Sequence, residues 1–129
     1  MFEAGGSNQF DHVGIAVSQF ARSVRFYEAA LTPLGDRLES HDPQANSAGF
    51  GKPGVPQLWL NVGKGGPVHL AFVAPDRESV KKFHAAAVAA GGKNHGDPGP
   101  RPASGEHYYA AFAFDPDGNN IEAVCLKPA

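Results

Sequence analysis

His12 and His69 each stand at the head of an apolar run, Asp11-His12-Val13-Gly14-Ile15-Ala16-Val17 and Val68-His69-Leu70-Ala71-Phe72-Val73. An imidazole serves as base, proton carrier or metal ligand, and two that converge on one point begin a metal centre. A third candidate is Glu122, a carboxylate set among Ile121, Ala123 and Val124. Burying an unpaired carboxylate is costly, so Glu122 needs a strong donor, a cation or a metal. If all three side chains point into one cleft, they form a two-histidine, one-carboxylate set. Such a set suits Fe(II), Mn(II), Zn(II) or Ni(II), with positions left open for substrate oxygens. The competing expectation is a purely structural, hydrogen-bonded triad.

The elements that must carry these residues come in two copies. The offset of 57 positions that maps His12 onto His69 also maps Phe26 onto Phe83, Tyr27 onto His84, Ala29 onto Ala86 and Ala30 onto Ala87. In the first copy, Phe10 to Val17 reads as a strand and Ser18 as a helix N-cap. Val24, Tyr27, Ala30 and Leu31 recur at helical spacing, and Pro33 with Gly35 ends the helix. Strands follow at Arg37 to His41, Ala45 to Gly51 and Gln57 to Val62. The second copy predicts a strand from Val68 to Val73, Asp76 as N-cap, a helix from Arg77 to Ala90, and Gly91-Gly92 as its stop. A weak strand near Lys93 to His95 leads into a long Gly/Pro loop, then a strand from His107 to Phe114. Asp115-Pro116-Asp117-Gly118 makes a tight turn before the last strand, Asn119 to Leu126.

The expected fold class is therefore α+β. Two tandem β-α-β-β-β modules, about 9–62 and 66–127 of one domain 1–129, form an open barrel-like cleft with helices on the outer faces. Aligning the fourth strand with the eighth sets Leu58 with Ile121 and Trp59 with Glu122. An indole cannot ligate, and Gln57, two residues away on the same strand face, offers only a weak amide. Three protein ligands are expected, not four.

Around the cleft, Arg101 is held between Pro100 and Pro102 and is a candidate clamp for a ligand carboxylate or phosphate. Tyr108 and Tyr109 alternate in direction, so one of them lines the cleft and can donate to a substrate oxygen. Asp115 and Asp117 are turn formers rather than calcium ligands. His41, His84, His95 and His107 are expected in solvated positions, and Cys125 in packing.

At 129 residues, 42% of them hydrophobic, the chain is long enough to bury a core without staples. A net charge of −2 leaves no basic footprint for nucleic acid. No apolar run is long enough for a membrane span. The polar start, Met1 to Gln9, lacks signal-peptide features and is expected to fray. A lone cysteine forbids an internal disulfide and points to a reducing, cytoplasmic setting.

The chain resembles the vicinal oxygen chelate superfamily, which includes glyoxalase I, extradiol dioxygenases, fosfomycin resistance proteins and bleomycin resistance proteins. The resemblance rests on Asp11-His12-Val13-Gly14-Ile15-Ala16-Val17, Ser23-Val24-Arg25-Phe26-Tyr27, Val68-His69-Leu70-Ala71-Phe72 and Asp115-Pro116-Asp117-Gly118-Asn119-Asn120-Ile121-Glu122. It implies paired β-α-β-β-β modules, a homodimer, and a divalent metal held by His12, His69 and Glu122 to which the oxygens of a small-molecule substrate bind. It also implies lyase, isomerase or dioxygenase chemistry through metal-stabilised oxyanions. Trp59 stands where glyoxalase I supplies a glutamate that also acts as a base. The Leu58-Trp59 pair is similar to that of fosfomycin thiol transferases, whose serine- and lysine-borne phosphonate contacts are not evident here. The bleomycin resistance branch implies a different activity, metal-free sequestration of a drug in an aromatic cleft; an interaction module with a vestigial cleft is a third reading.

Overall fold

The first module runs β1 (Val13–Val17), α1 (Phe20–Leu31), β2 (Arg37–Asp42), β3 (Ser47–Lys52) and β4 (Val55–Val62). The second runs β5 (His69–Val73), α2 (Arg77–Ala89), β6 (Lys93–Pro100), β7 (Tyr109–Phe114) and β8 (Asn120–Cys125). These elements come from a computed structural model that describes residues 10–64 and 66–129. The stretch Met1 to Gln9, expected to fray, lies outside them. Each module forms a four-stranded sheet, ordered β1-β4-β3-β2 and β5-β8-β7-β6, and the two sheets are cleft-like rather than a closed barrel.

In each sheet the first strand lies parallel to the last, and the remaining pairs are antiparallel. Gly14 stands opposite Trp59, and Ala71, its repeat partner, stands opposite Glu122. The structure thus sets Trp59 in the place of Glu122, as the repeat predicts.

Alternation along the strands decides the core. Ile15, Val17, Ala48, Phe50, Leu58 and Leu60 of one sheet, and Ala111, Ala113, Ile121, Ala123 and Cys125 of the other, are buried on the helical sides. α1 and α2 pack against each other, so both sheets share one apolar cluster that includes Phe26, Leu31, Val80 and Phe83. Fully burying each large side chain stabilises the fold by about 1.5–3 kcal/mol. The opposite sheet faces carry the candidate site.

Three local expectations need correction. Strand β1 begins at Val13 rather than Phe10. Its register, extended backwards, sets Asp11 opposite Pro56, which has no N–H to give the ladder. Ser18 does not cap α1: the N-cap is Gln19, with no side-chain bond. That end is served from the other module, where Asp117 accepts the Ser18 N–H at 3.0 Å and the Ser23 hydroxyl at 3.5 Å. Finally, β6 continues to Pro100 through the stretch expected to be a loop. An edge strand tolerates proline where no ladder N–H is required, and register shifts at Gly96 absorb the irregularity.

The Asp115-Pro116-Asp117-Gly118 turn does more than reverse the chain. Asp115 is 4% exposed; one carboxylate oxygen accepts the N–H groups of Asp117 and Asn119 at 2.8 Å each. The other accepts the Asn119 side-chain amide at 2.8 Å and the Tyr27 hydroxyl at 2.5 Å. Burial first, then the Asp115 carboxylate, hold the Tyr27 phenol well above its ordinary pKa. Gly118, at φ 86°, supplies the left-handed residue that the turn requires.

Candidate functional site

Parallel pairing of β5 with β8 sets His69 opposite Asn120 and Ala71 opposite Glu122, so His69 and Glu122 share one sheet face, diagonal to each other. The His69 Nδ1 atom is 2.9 Å from the Asn120 carbonyl oxygen. A carbonyl only accepts, so Nδ1 carries the proton and, in the neutral ring, Nε2 is a lone pair. That lone pair lies 3.0 Å from Glu122 Oε1. Two electron-rich atoms thus face each other, a contact that either a proton on Nε2 or a shared cation makes favourable. The His69 side chain is half exposed while that of Glu122 is 2% exposed, so the carboxylate is reached past the imidazole.

The second Glu122 oxygen is occupied. The Tyr108 hydroxyl donates to Oε2, and this bond, with burial and the carboxylate charge behind it, pushes the phenol pKa up to about 12. At neutral pH Tyr108 is therefore a donor and not a base. Phe112, opposite Glu122 on β7, lies near-parallel to the His69 ring with centroids 6.2 Å apart. The Arg101 guanidinium lies over the Phe112 ring, its carbon 5.5 Å from the centroid. The main-chain N–H of Arg101 donates to the Tyr108 carbonyl at 2.7 Å, closing the base of the β6–β7 loop.

Of the residues singled out from sequence, Tyr108, Arg101, His69 and Glu122 thus gather around Phe112. Tyr109 turns to the opposite face, 8% exposed, with the Arg77 guanidinium 4.8 Å from its ring centroid. His12 lies apart from the cluster: its Nδ1 is 2.7 Å from Asp11 Oδ1, and the side chain is 59% exposed. Among the described residues, no three His, Cys, Asp or Glu side chains of one chain are grouped as a metal site. Trp59, half-buried, lies over Gly49, where a Cβ would come within 2.8 Å of the indole.

The other histidines serve locally. His41 stacks beside Phe20, His84 bonds Asn94 at 2.8 Å, His95 stacks on Phe114, and His107 meets Glu106 at 3.2 Å. Sequence reasoning missed the Asn120 carbonyl and Phe112. The first follows from the pairing of β5 with β8, whose register sets Asn120 beside His69. Two depressions, of about 230 and 520 Å³, flank the Asp115-Pro116-Asp117-Gly118 turn, near Lys64 and Asp117 and near Arg22 and Lys93. Neither is lined by His69, Glu122 or Tyr108.

The family model described as the Glyoxalase/Bleomycin resistance protein/Dioxygenase superfamily matches residues 9–123. Among solved structures, a glyoxalase/bleomycin resistance protein from Albidiferax ferrireducens T118 is similar at 30% identity and a TM-score of 0.79, covering 92% of this chain and 99% of its own. A glyoxalase/bleomycin resistance protein/dioxygenase family enzyme from Burkholderia phytofirmans PsJN shares the fold at 18% identity and a TM-score of 0.70, covering 91% and 98%. An E144Q glyoxalase I mutant from Zea mays is similar at 27% identity and a TM-score of 0.63 over 88% of this chain, which spans 45% of the maize chain. No curated protein sequence matches.

Proposed function

Since this chain belongs to the glyoxalase/bleomycin resistance protein/dioxygenase superfamily, we propose that it is a divalent-metal-dependent enzyme acting on a small, vicinally oxygenated substrate. The observation that carries the reading is the His69–Glu122 contact. One ring nitrogen is fixed by a backbone carbonyl, so the other is aimed at a buried carboxylate oxygen 3.0 Å away, and in the neutral ring it offers a lone pair there. Backbone-anchored imidazoles of this kind are how proteins orient metal-ligating histidines.

His69 and Glu122 supply two donors. The third in this reading is His12 from a second copy of the chain. Among the described residues β1 and β5 are both sheet edges without an outer strand; His12 directly precedes β1, His69 opens β5, and both side chains are solvent-accessible. A homodimer that opposes the first module of one copy to the second module of the other completes the set. When bound, a divalent cation supplies Lewis acidity to substrate oxygens. The chain's own residues do the rest. Tyr108 holds Glu122 in one orientation, Phe112 walls the site, and Arg101 offers positive charge at its edge. Isomerase, lyase, dioxygenase and thiol-transferase chemistry are all compatible with such a centre. The cysteine count favours a cytoplasmic location, and among the described residues no helix is long and apolar enough to cross a membrane.

A second reading, a metal-free binding protein, draws on Trp59, which offers an aromatic surface on the face opposite its core. Equilibrium dialysis against Fe(II), Mn(II), Ni(II) and Zn(II) separates the two. The enzyme reading expects about one metal per chain in the native protein and little in Glu122→Gln. No uptake by the native protein favours the binder.

A further inference from the structure

We infer that Arg101 is the receptor for an oxyanion, a carboxylate or phosphate, on the end of the substrate remote from its vicinal oxygens. This deepens the metalloenzyme reading and rests on it for the placement of those oxygens. Four observations carry it. First, Arg101 has a dedicated seat. A Cβ at Gly96 would lie 3.2 Å from one Arg101 terminal nitrogen, and a Cβ at Gly99 would lie 3.3 Å from the other. The same Cβ at Gly96 would stand 2.8 Å from Phe112 Cδ1. Two glycines of β6 therefore leave a flat floor on which the guanidinium and Phe112 lie together.

Second, the seat fixes direction without neutralising charge. One terminal nitrogen donates to the Asp97 carbonyl at 2.7 Å and the other to the Pro100 carbonyl at 3.4 Å. Both acceptors are uncharged. Third, no carboxylate pairs with Arg101 among the described residues, although the side chain is half-buried. A guanidinium carries five N–H donors in a rigid fork, so several remain for a planar or tetrahedral anion. A lysine would not need this floor, since an ammonium is a point charge on a flexible stem.

Fourth, the receptor and the chelating pair share one neighbour. The Arg101 guanidinium carbon and the His69 ring lie 5.5 and 6.2 Å from the Phe112 ring centroid. A substrate that uses both ends places its chelating oxygens toward His69 and Glu122 and its anion toward Arg101. An apolar middle then packs against Phe112. The backbone bond from Arg101 to Tyr108 makes the anion receptor and the Glu122 latch parts of one loop.

The test compares catechol, 3,4-dihydroxybenzoate and 3,4-dihydroxyphenylphosphonate by titration calorimetry on metal-loaded protein, with benzoate on the chelator-treated protein. The carboxylate or the phosphonate should tighten binding by about tenfold over catechol. Whichever anion gains more identifies the source. Arg101→Gln should reduce that preference to within about twofold, and Arg101→Lys should restore it only in part. If the protein takes up no metal but benzoate still binds in an Arg101-dependent way, the metal reading fails and the receptor stands. An anion preference that survives in Arg101→Gln overturns the inference, and so does the absence of any anion preference in the native protein.

Discussion

The Nε2 atom of His69 lies 3.0 Å from Oε1 of Glu122, while the Nδ1 atom of the same ring lies 2.9 Å from the Asn120 carbonyl. A neutral imidazole donates once, and the carbonyl accepts that hydrogen bond. In the neutral ring the carboxylate then faces a lone pair, and either a proton on Nε2 or a cation between the two makes the contact favourable, the cation by coordination.

This opposition makes an unusual prediction for Glu122→Gln. The new amide keeps an oxygen for Tyr108 and offers an N–H to His69 Nε2. Without metal, the variant should be at least as stable to urea as the native protein. With metal at about a hundred times its dissociation constant, the native protein should gain about 2.7 kcal/mol and the variant almost nothing. Equal gains for both proteins would contradict the assignment of Glu122 as a ligand.

Tyr108 should ionise late. Its hydrogen bond to Glu122 raises the phenol to about 12, above its ordinary value of 10.0. Because the folded value is raised, the stabilising contribution is complete below pH about 10 and is lost as pH rises through about 12. Tyr108→Phe should remove one phenolate step near 12 from a titration followed by ultraviolet absorbance. It should also flatten the fall in stability over that window.

Tyr27 and Asp115 tie the helix of the first module to the turn of the second. Tyr27→Phe removes a single hydrogen bond and should cost about 1–2 kcal/mol in urea denaturation. Asp115→Ala strands the Tyr27 hydroxyl, the Asn119 amide and two backbone N–H groups, and should cost about 3 kcal/mol or more. A smaller loss for Asp115→Ala than for Tyr27→Phe would show that the turn is not the anchor.

Gly49 lies beneath the only tryptophan in the chain. In Gly49→Ala the new methyl would meet the Trp59 ring at 2.8–3.0 Å, so the indole must move. A shift in tryptophan emission and a loss of about 1–3 kcal/mol are expected. Unchanged emission would show that Trp59 does not rest on this strand.

Much of this fold was legible because the repeat and the period-2 alternation agree. The repeat that maps His12 onto His69 and aligns Trp59 with Glu122 holds in the sheets, where Gly14 faces Trp59 and Ala71 faces Glu122. What escaped was information carried between elements distant in the chain. Asp117 serves the N-terminus of α1 across 99 residues, so a serine at the expected position read as the cap. β6 holds two prolines and two glycines, a local pattern typical of loops; the sheet edge and the seat under Arg101 explain it. At the site, residue types gave Glu122 and His69. The facing of the chain at the head of β7 decides Tyr108 over Tyr109, and His12 stands apart because it leads into the edge strand of the other sheet.

The most direct measurement is anomalous diffraction from crystals grown with a bound transition metal. The account predicts a peak at about 2.0–2.2 Å from His69 Nε2 and from a Glu122 oxygen, with His12 of a second copy completing the set. A map with no peak there, in which His69 still rests against Glu122 at hydrogen-bond distance while metal binds elsewhere, would contradict it.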